Sequence, residues 1–201
     1  MKIFAVIRNY GAECPGSPFG EGKPRWYEMP DSSIIRTGNP WFVPDFAEEF
    51  KFFPSIVYRI GRLGKSISER FAHRYLESVG MAGAVVAADL LRDLREKGLP
   101  WAEAVSFDRS CLLGNLQPID TLLYKTGLTI MSSNDEFRYE PESLRHNPYE
   151  IVSLLSRTHT LKNGDLLLAG LTPEGITLRP DTKLIAVSQH YETKLLDFNI
   201  K

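Results

Sequence analysis

Residues 50–61 read Phe50-Lys51-Phe52-Phe53-Pro54-Ser55-Ile56-Val57-Tyr58-Arg59-Ile60-Gly61, a run rich in Phe, Ile, Val and Tyr that predicts a β-strand. Pro54 has no N–H to give to a ladder, so the expectation is an edge strand or a bulge there. Side chains two apart in a strand share a face. Lys51, Phe53 and Ser55 are therefore expected to point together.

Working outward, Ile3, Val6 and Ile7 mark a short buried strand within Lys2 to Arg8. Between Gly11 and Pro30 the chain is punctuated by Gly11, Pro15, Gly16, Pro18, Gly20, Gly22 and Pro24, which predicts a long irregular loop. Downstream, Ser66 and Glu69 have capping-box spacing, with Ser68 as an alternative cap. Phe71, Ala72, Tyr75, Leu76 and Val79 recur with helical period, predicting a helix to about Ser78 that stops at Gly80. Gly83 to Ala87 reads as a strand, and Leu90, Leu91 and Leu94 line a second helix ending at Gly98. Strands are expected at Leu122 to Met131 and Glu136 to Tyr139. A third helix is capped by Asn147, with Pro148 in its first position. Asn163-Gly164 turns into a strand at Leu166 to Ala169, and strands at Lys183 to Ser188 and Lys194 to Ile200 follow.

The 201 residues suit one domain, 1–201, with 43% hydrophobic and 24% charged residues. A formal net charge of -1 gives no electrostatic footprint for nucleic acid or anionic lipid. The apolar stretch Val79 to Ala88 falls short of the ~20 residues a bilayer span needs. Cys14 and Cys111 form no paired framework and read as free thiols in a reducing cytoplasm. His73, His146, His159 and His190 share no ligand-like spacing and read as surface residues.

Five ordered segments together resemble the fumarylacetoacetate hydrolase family. They are Arg8-Asn9-Tyr10; Ile60-Gly61 with Gly64-Lys65 and Ile67 to Glu69; Lys97-Gly98-Leu99-Pro100-Trp101 followed by Ser106-Phe107-Asp108 and Cys111; Leu161 to Asp165; and Thr172-Pro173 with Gly175. The likeness spans nearly the whole chain. It implies an α+β, β-rich mixed roll or sandwich with about three helices, and a homodimer. It also implies chemistry next to a carbonyl of a 2-oxo or β-diketo acid, assisted by Mg²⁺ or Mn²⁺. In that family three carboxylates hold the ion, a lysine stabilises charge, and a loop histidine helps activate water.

Carried onto this chain, the carboxylate positions fall on Phe53, Ser55 and Ala84, and the lysine on Val105. The loop histidine falls near Glu13 or Cys14, and a further lysine position holds Met29. An Arg-Asp-x-Gln element becomes Ala88-Asp89-Leu90-Leu91. A ring, a hydroxyl and a methyl do not ligate a hard cation as carboxylates do, so neither metal nor other cofactor is expected. Among the former pocket positions, Arg8 and Asn9 either bind an anion or position backbone. Glu13 reads as a solvated loop carboxylate before a base, and Asp89 as a helix cap before a remnant of the substrate site. A Ser55–Lys51 nucleophile pair is set against a plain polar strand face, which is preferred.

The expectation is thus a cytoplasmic, homodimeric family member without the family's metal chemistry: a scaffold, regulator or binder of a small carboxylate, with residues 11–30 as a mobile loop or lid. The alternatives are an active hydrolase, isomerase or decarboxylase taking ligands from Glu28, Asp31, Glu48 or Asp89, and a metal-free enzyme of new chemistry.

Overall fold

The computed structural model describes residues 1–11, 22–119, 127–132, 135–188 and 194–201. In chain order the strands are β1 (Lys2–Ile7), β2 (Arg25–Pro30), β3 (Ile34–Arg36), β4 (Phe50–Ile60), β5 (Leu76–Ala87), β6 (Cys111–Pro118), β7 (Leu128–Ser132), β8 (Asp135–Tyr139), β9 (Leu166–Leu168), β10 (Ile176–Thr177), β11 (Lys183–Ser188) and β12 (Lys194–Asn199). The α-helical segments are α1 (Glu69–Ala72), α2 (Ala88–Glu96), α3 (Ala102–Val105) and α4 (Pro148–Thr158).

The larger sheet runs β2-β1-β9-β4-β5-β6-β3, with β10 also paired to β4, and the smaller runs β12-β11-β7-β8. Among the described strands, the β1–β9 and β3–β6 pairs are parallel and the others antiparallel. Small residues let β5 lie between two packed faces: Val79, Met81 and Val85 join the larger apolar cluster, while Ala82 and Ala84 join a smaller one behind. The sheets meet where β6 crosses β12. A methyl group on Gly114 would stand 2.1 Å from the Leu195 carbonyl oxygen, so only glycine allows that approach. Asp165, fully buried, accepts hydrogen bonds from Lys2 N and Lys162 N and pairs with Lys2 Nζ at 2.9 Å, fixing β1 beside β9.

Both long helices end as their sequences indicate. Gly98, at φ +65°, follows α2; its N–H donates to the Arg95 carbonyl, and Leu99 N–H donates to that of Leu94, a Schellman closure. Asn147 and Glu150 form a reciprocal capping box on α4.

Three expectations are corrected. First, the helix expected to reach Ser78 stops at Ala72, a 3₁₀ turn covers His73–Tyr75, and Leu76 already begins β5. The local 3.6 period is overridden by pairing with β4 and β6. Gly80 is no helix stop but a close approach, since a methyl there would lie 2.6 Å from the Asn115 carbonyl oxygen. No side-chain cap bond forms at Ser68.

Second, Pro54 lies neither on an edge nor in a bulge; β4 is central, and its one irregularity is at Arg59/Ile60. β9 pairs with Val57 to Arg59 and β10 with Lys51 and Phe52. Pro54 falls between them, where no strand calls for its missing donor; its carbonyl accepts from Thr172 N–H. Third, residues 25–30 of the expected loop form β2, held in register along all of β1; Glu13 and Cys14 lie outside the described residues. About three helices are expected, and α2 and α4 are long while α1 and α3 are single turns. Of the strand expected at Leu122 to Met131, residues 122–126 lie outside the described ones, and β7 begins at Leu128.

Candidate functional site

Phe53 on β4 is the cross-strand partner of Ala84 on β5, and Ala84 is the partner of Cys111 on β6. The three form a row across adjacent strands within the smaller apolar cluster, with Met29, Val57 and Leu168. Ala84 and Cys111 are fully buried and Phe53 half-buried. The turn after Thr172-Pro173 closes on the Phe53 ring: a methyl on Gly175 would stand 2.8 Å from it. Burial pushes the Cys111 thiol up to about 12, so it stays protonated.

Ser55 is buried and already engaged. Its hydroxyl donates to the Ile56 carbonyl and accepts from Gly170 N–H. Lys51 directs its ammonium to Glu49 at 2.9 Å, away from any partnership with Ser55. A benzene ring, a methyl, a protonated thiol and a spent hydroxyl do not fit a hard divalent cation, which takes several anionic or carbonyl oxygens. The alternative carboxylates are dispersed. Glu28 pairs with His159 Nε2 at 2.7 Å, Asp31 lies near the Met1 amino group at 3.9 Å, and Asp89 accepts from Glu48 N–H and Glu49 N–H. Among the described residues no group of three or more His, Cys, Asp and Glu is placed to hold a metal ion.

Asn9 is buried and wholly occupied with backbone: its amide donates to the carbonyls of His146 and Ala169, and its carbonyl accepts from His146 N–H. Its side chain thereby positions the backbone at His146 and Ala169. Arg8 adopts a left-handed backbone, φ +62°. Asp89 sits one residue inside α2, whose cap is Ala87, so it is not the N-cap. Burial pushes its carboxyl up, but backbone N–H donors of Glu48, Leu90, Glu49 and Asp89 outweigh this and hold it below the ordinary value. His146 and His159 are half-buried and bonded, to Glu150 at 3.1 Å and to Glu28, not free on the surface.

Val105 is buried at the end of α3 and lines a shallow cleft of about 340 Å³ with Tyr27, Glu28, Pro100, Trp101, Ala102 and Ser106. Among the described residues that line it none is a lysine or arginine, and the Arg95 guanidinium lies 5.9 Å from the centroid of the Trp101 ring. Tyr27 and Trp101 meet edge to face, centroids 5.8 Å apart. The Tyr27 hydroxyl is buried and has no hydrogen-bond partner among the described residues. Burial, then the neighbouring Cys111, pushes its ionisation up and keeps it neutral. Sequence reasoning missed Tyr27. Trp26-Tyr27 followed by Met29 is itself a strand signal, which the flanking glycines and prolines masked.

This mixed sheet, with its Lys97 to Cys111 passage beside the row of Phe53, Ala84 and Cys111, is the architecture of one enzyme family. The family model described as fumarylacetoacetate (FAA) hydrolase C-terminal matches residues 2–195, and the chain belongs to that family. It is 28% identical over 180 residues to the mitochondrial oxaloacetate tautomerase FAHD1 of Bos taurus, covering 87% of this chain and 80% of that protein. To the fumarylpyruvate hydrolase of Ralstonia sp it is 23% identical over 153 residues, covering 75% and 79%. The crystal structure of the Pseudomonas aeruginosa fumarylpyruvate hydrolase, in complex with Mn²⁺ and pyruvate, shares the fold with a TM-score of 0.87 at 20% identity, covering 100% of this chain and 89% of that one. Among the described residues no helix is long and apolar enough to cross a membrane.

Proposed function

We propose that this chain keeps the fumarylacetoacetate hydrolase scaffold without its divalent-metal chemistry and serves as a ligand-binding or regulatory homologue. One observation carries this: where the resemblance places carboxylates stand Phe53 and Ala84, paired across β4 and β5 in an apolar row with Cys111, and Ser55, whose hydroxyl is engaged with Ile56 and Gly170. Three carboxylates converging without an ion repel one another, so their replacement by apolar groups costs the fold little. The same proposal makes the protein a cytoplasmic homodimer, checked by sedimentation and cell fractionation.

The test is calorimetric titration of the purified protein with Mg²⁺ and Mn²⁺, with elemental analysis beside it. No binding site and no turnover of oxaloacetate or acylpyruvates are expected. Micromolar Mn²⁺ binding overturns the proposal.

A second proposal is active carbonyl chemistry of the family's type. It draws support from relatives named oxaloacetate tautomerase at 28% identity over 87% of the chain. It requires an acid–base apparatus other than the former carboxylates, because Glu28, Asp31 and Asp89 are committed elsewhere. Ultraviolet absorbance of oxaloacetate enol, followed with and without protein, decides between the two: accelerated ketonisation favours the second.

A further inference from the structure

We infer that the face formed by α1 and the turn from Arg62 to Lys65 docks on an anionic lipid surface. Arg62, Lys65, Arg70 and Arg74 meet the headgroups, and Leu63 and Phe71 enter the boundary with the acyl chains. The inference lies apart from the row of Phe53, Ala84 and Cys111 and holds whether or not an ion works there.

The sequence supplies the charge. Residues 59–75 hold Arg59, Arg62, Lys65, Arg70 and Arg74 against a single acid, Glu69. A formal net charge of -1 for the whole chain hides this local excess. Folding then gathers it. Gly61 N–H donates to the Tyr75 carbonyl, and a methyl on Gly64 would stand 2.3 Å from the Tyr75 ring. The turn therefore lies against the 3₁₀ segment that follows α1. Gly64 and Leu161 exchange backbone hydrogen bonds, which brings exposed Lys162 alongside.

These cations are also unspent. Lys51, Arg59, Lys97 and Lys183 each have a carboxylate within 4.0 Å. Arg62, Lys65, Arg70 and Arg74 are exposed and pair with no carboxylate among the described residues. Arg70 and Arg74 instead hold their guanidinium carbons 5.5 and 4.9 Å from the centroid of the Phe71 ring. Like charges gathered this way repel, and an anionic surface relieves the repulsion.

The apolar residues choose among anionic partners. Leu63 is 69% exposed between Arg62 and Lys65, and Phe71 is 42% exposed beside its two arginines. Leu63 is aliphatic, so it gives a nucleic-acid base nothing to stack on. An acidic polymer that offers charge alone would leave both apolar groups in water. Apolar side chains ringed by Lys and Arg suit the layer where headgroups give way to acyl chains.

The full chain is tested by co-sedimentation with phosphatidylcholine vesicles, with and without about 30% phosphatidylglycerol. Partitioning should be about tenfold or more stronger onto the anionic vesicles, and should fall as salt rises from about 0.1 to 0.5 M. Arg74→Glu should weaken it about twentyfold, at about fivefold per unit of charge, while Arg74→Lys binds as the wild type does. Lys183→Glu, an equal change of net charge on the smaller sheet, should leave it unchanged. Leu63→Ser should weaken it about fivefold through lost apolar contact. No preference for anionic vesicles, equal losses in Arg74→Glu and Lys183→Glu, or an unaltered Leu63→Ser overturns the inference. So does complete displacement from the vesicles by polyglutamate or oligothymidylate at equal total charge, which would assign the face to an acidic protein or a nucleic acid.

Discussion

Thiols react as thiolates, and at pH 8 native Cys111 has almost none, because burial holds it near 12. Iodoacetamide applied to the native protein at pH 8 should leave the Cys111 peptide unmodified in a mass map, and the same reagent in urea should label it fully. Labelling of the native peptide would show that the row beside Ala84 is open to solvent. Individual residues were partly legible from the amino-acid order. The pairing of Phe53 with Ala84 follows from counting along two strands. The work of Asn9 and Ser55 does not, since their partners His146, Ala169 and Gly170 lie 115 to 160 positions away. Such distant hydrogen bonds leave no local periodic signal.

At the scale of elements, α2 is tied to the approach of β4 through Asp89, whose carboxylate accepts from Glu48 N–H and Glu49 N–H. Its folded-state ionisation lies below the ordinary carboxylate value, with donor bonds outweighing burial. The stability it contributes is therefore present above an unfolded pKa of about 3.9 and lost as pH falls through the folded value. Urea denaturation of Asp89→Asn beside wild type should show a difference at pH 7 that vanishes at about pH 2; a gap that persists in acid would assign it to packing. Across β4 and β5, the combined change Phe53→Glu, Ser55→Glu and Ala84→Asp should raise Mn²⁺ affinity above that of the wild type, measured by calorimetry on both. Turnover would further require Val105→Lys. Elements with strong ends, α2 with Gly98 and α4 with Asn147 and Pro148, are readable directly from their residues. Leu76 to Val79 misled, because apolar residues spaced for a helix were recruited by strands on both sides, and no local pattern registers those neighbours.

For the molecule as a whole, the junction of the two sheets depends on Gly114 passing the Leu195 carbonyl. Gly114→Ala should cost about 2 kcal/mol in chemical denaturation, as overpacking does, and an unchanged midpoint would mean the sheets can move apart freely. The β-rich architecture was legible because five ordered segments match one family, whereas the packing of sheet on sheet was not. The parallel pairing of β1 with β9 also constrains how the chain assembles. Ile3 faces Leu166, and Lys2 is held by Asp165, 163 positions later. β1 thus keeps its inner edge unpaired until residues 166–168 have been made. Long-range parallel pairing is slow and leaves sticky edges exposed in the meantime. Whatever chemistry the finished protein performs, its folding waits on a contact that spans 163 positions.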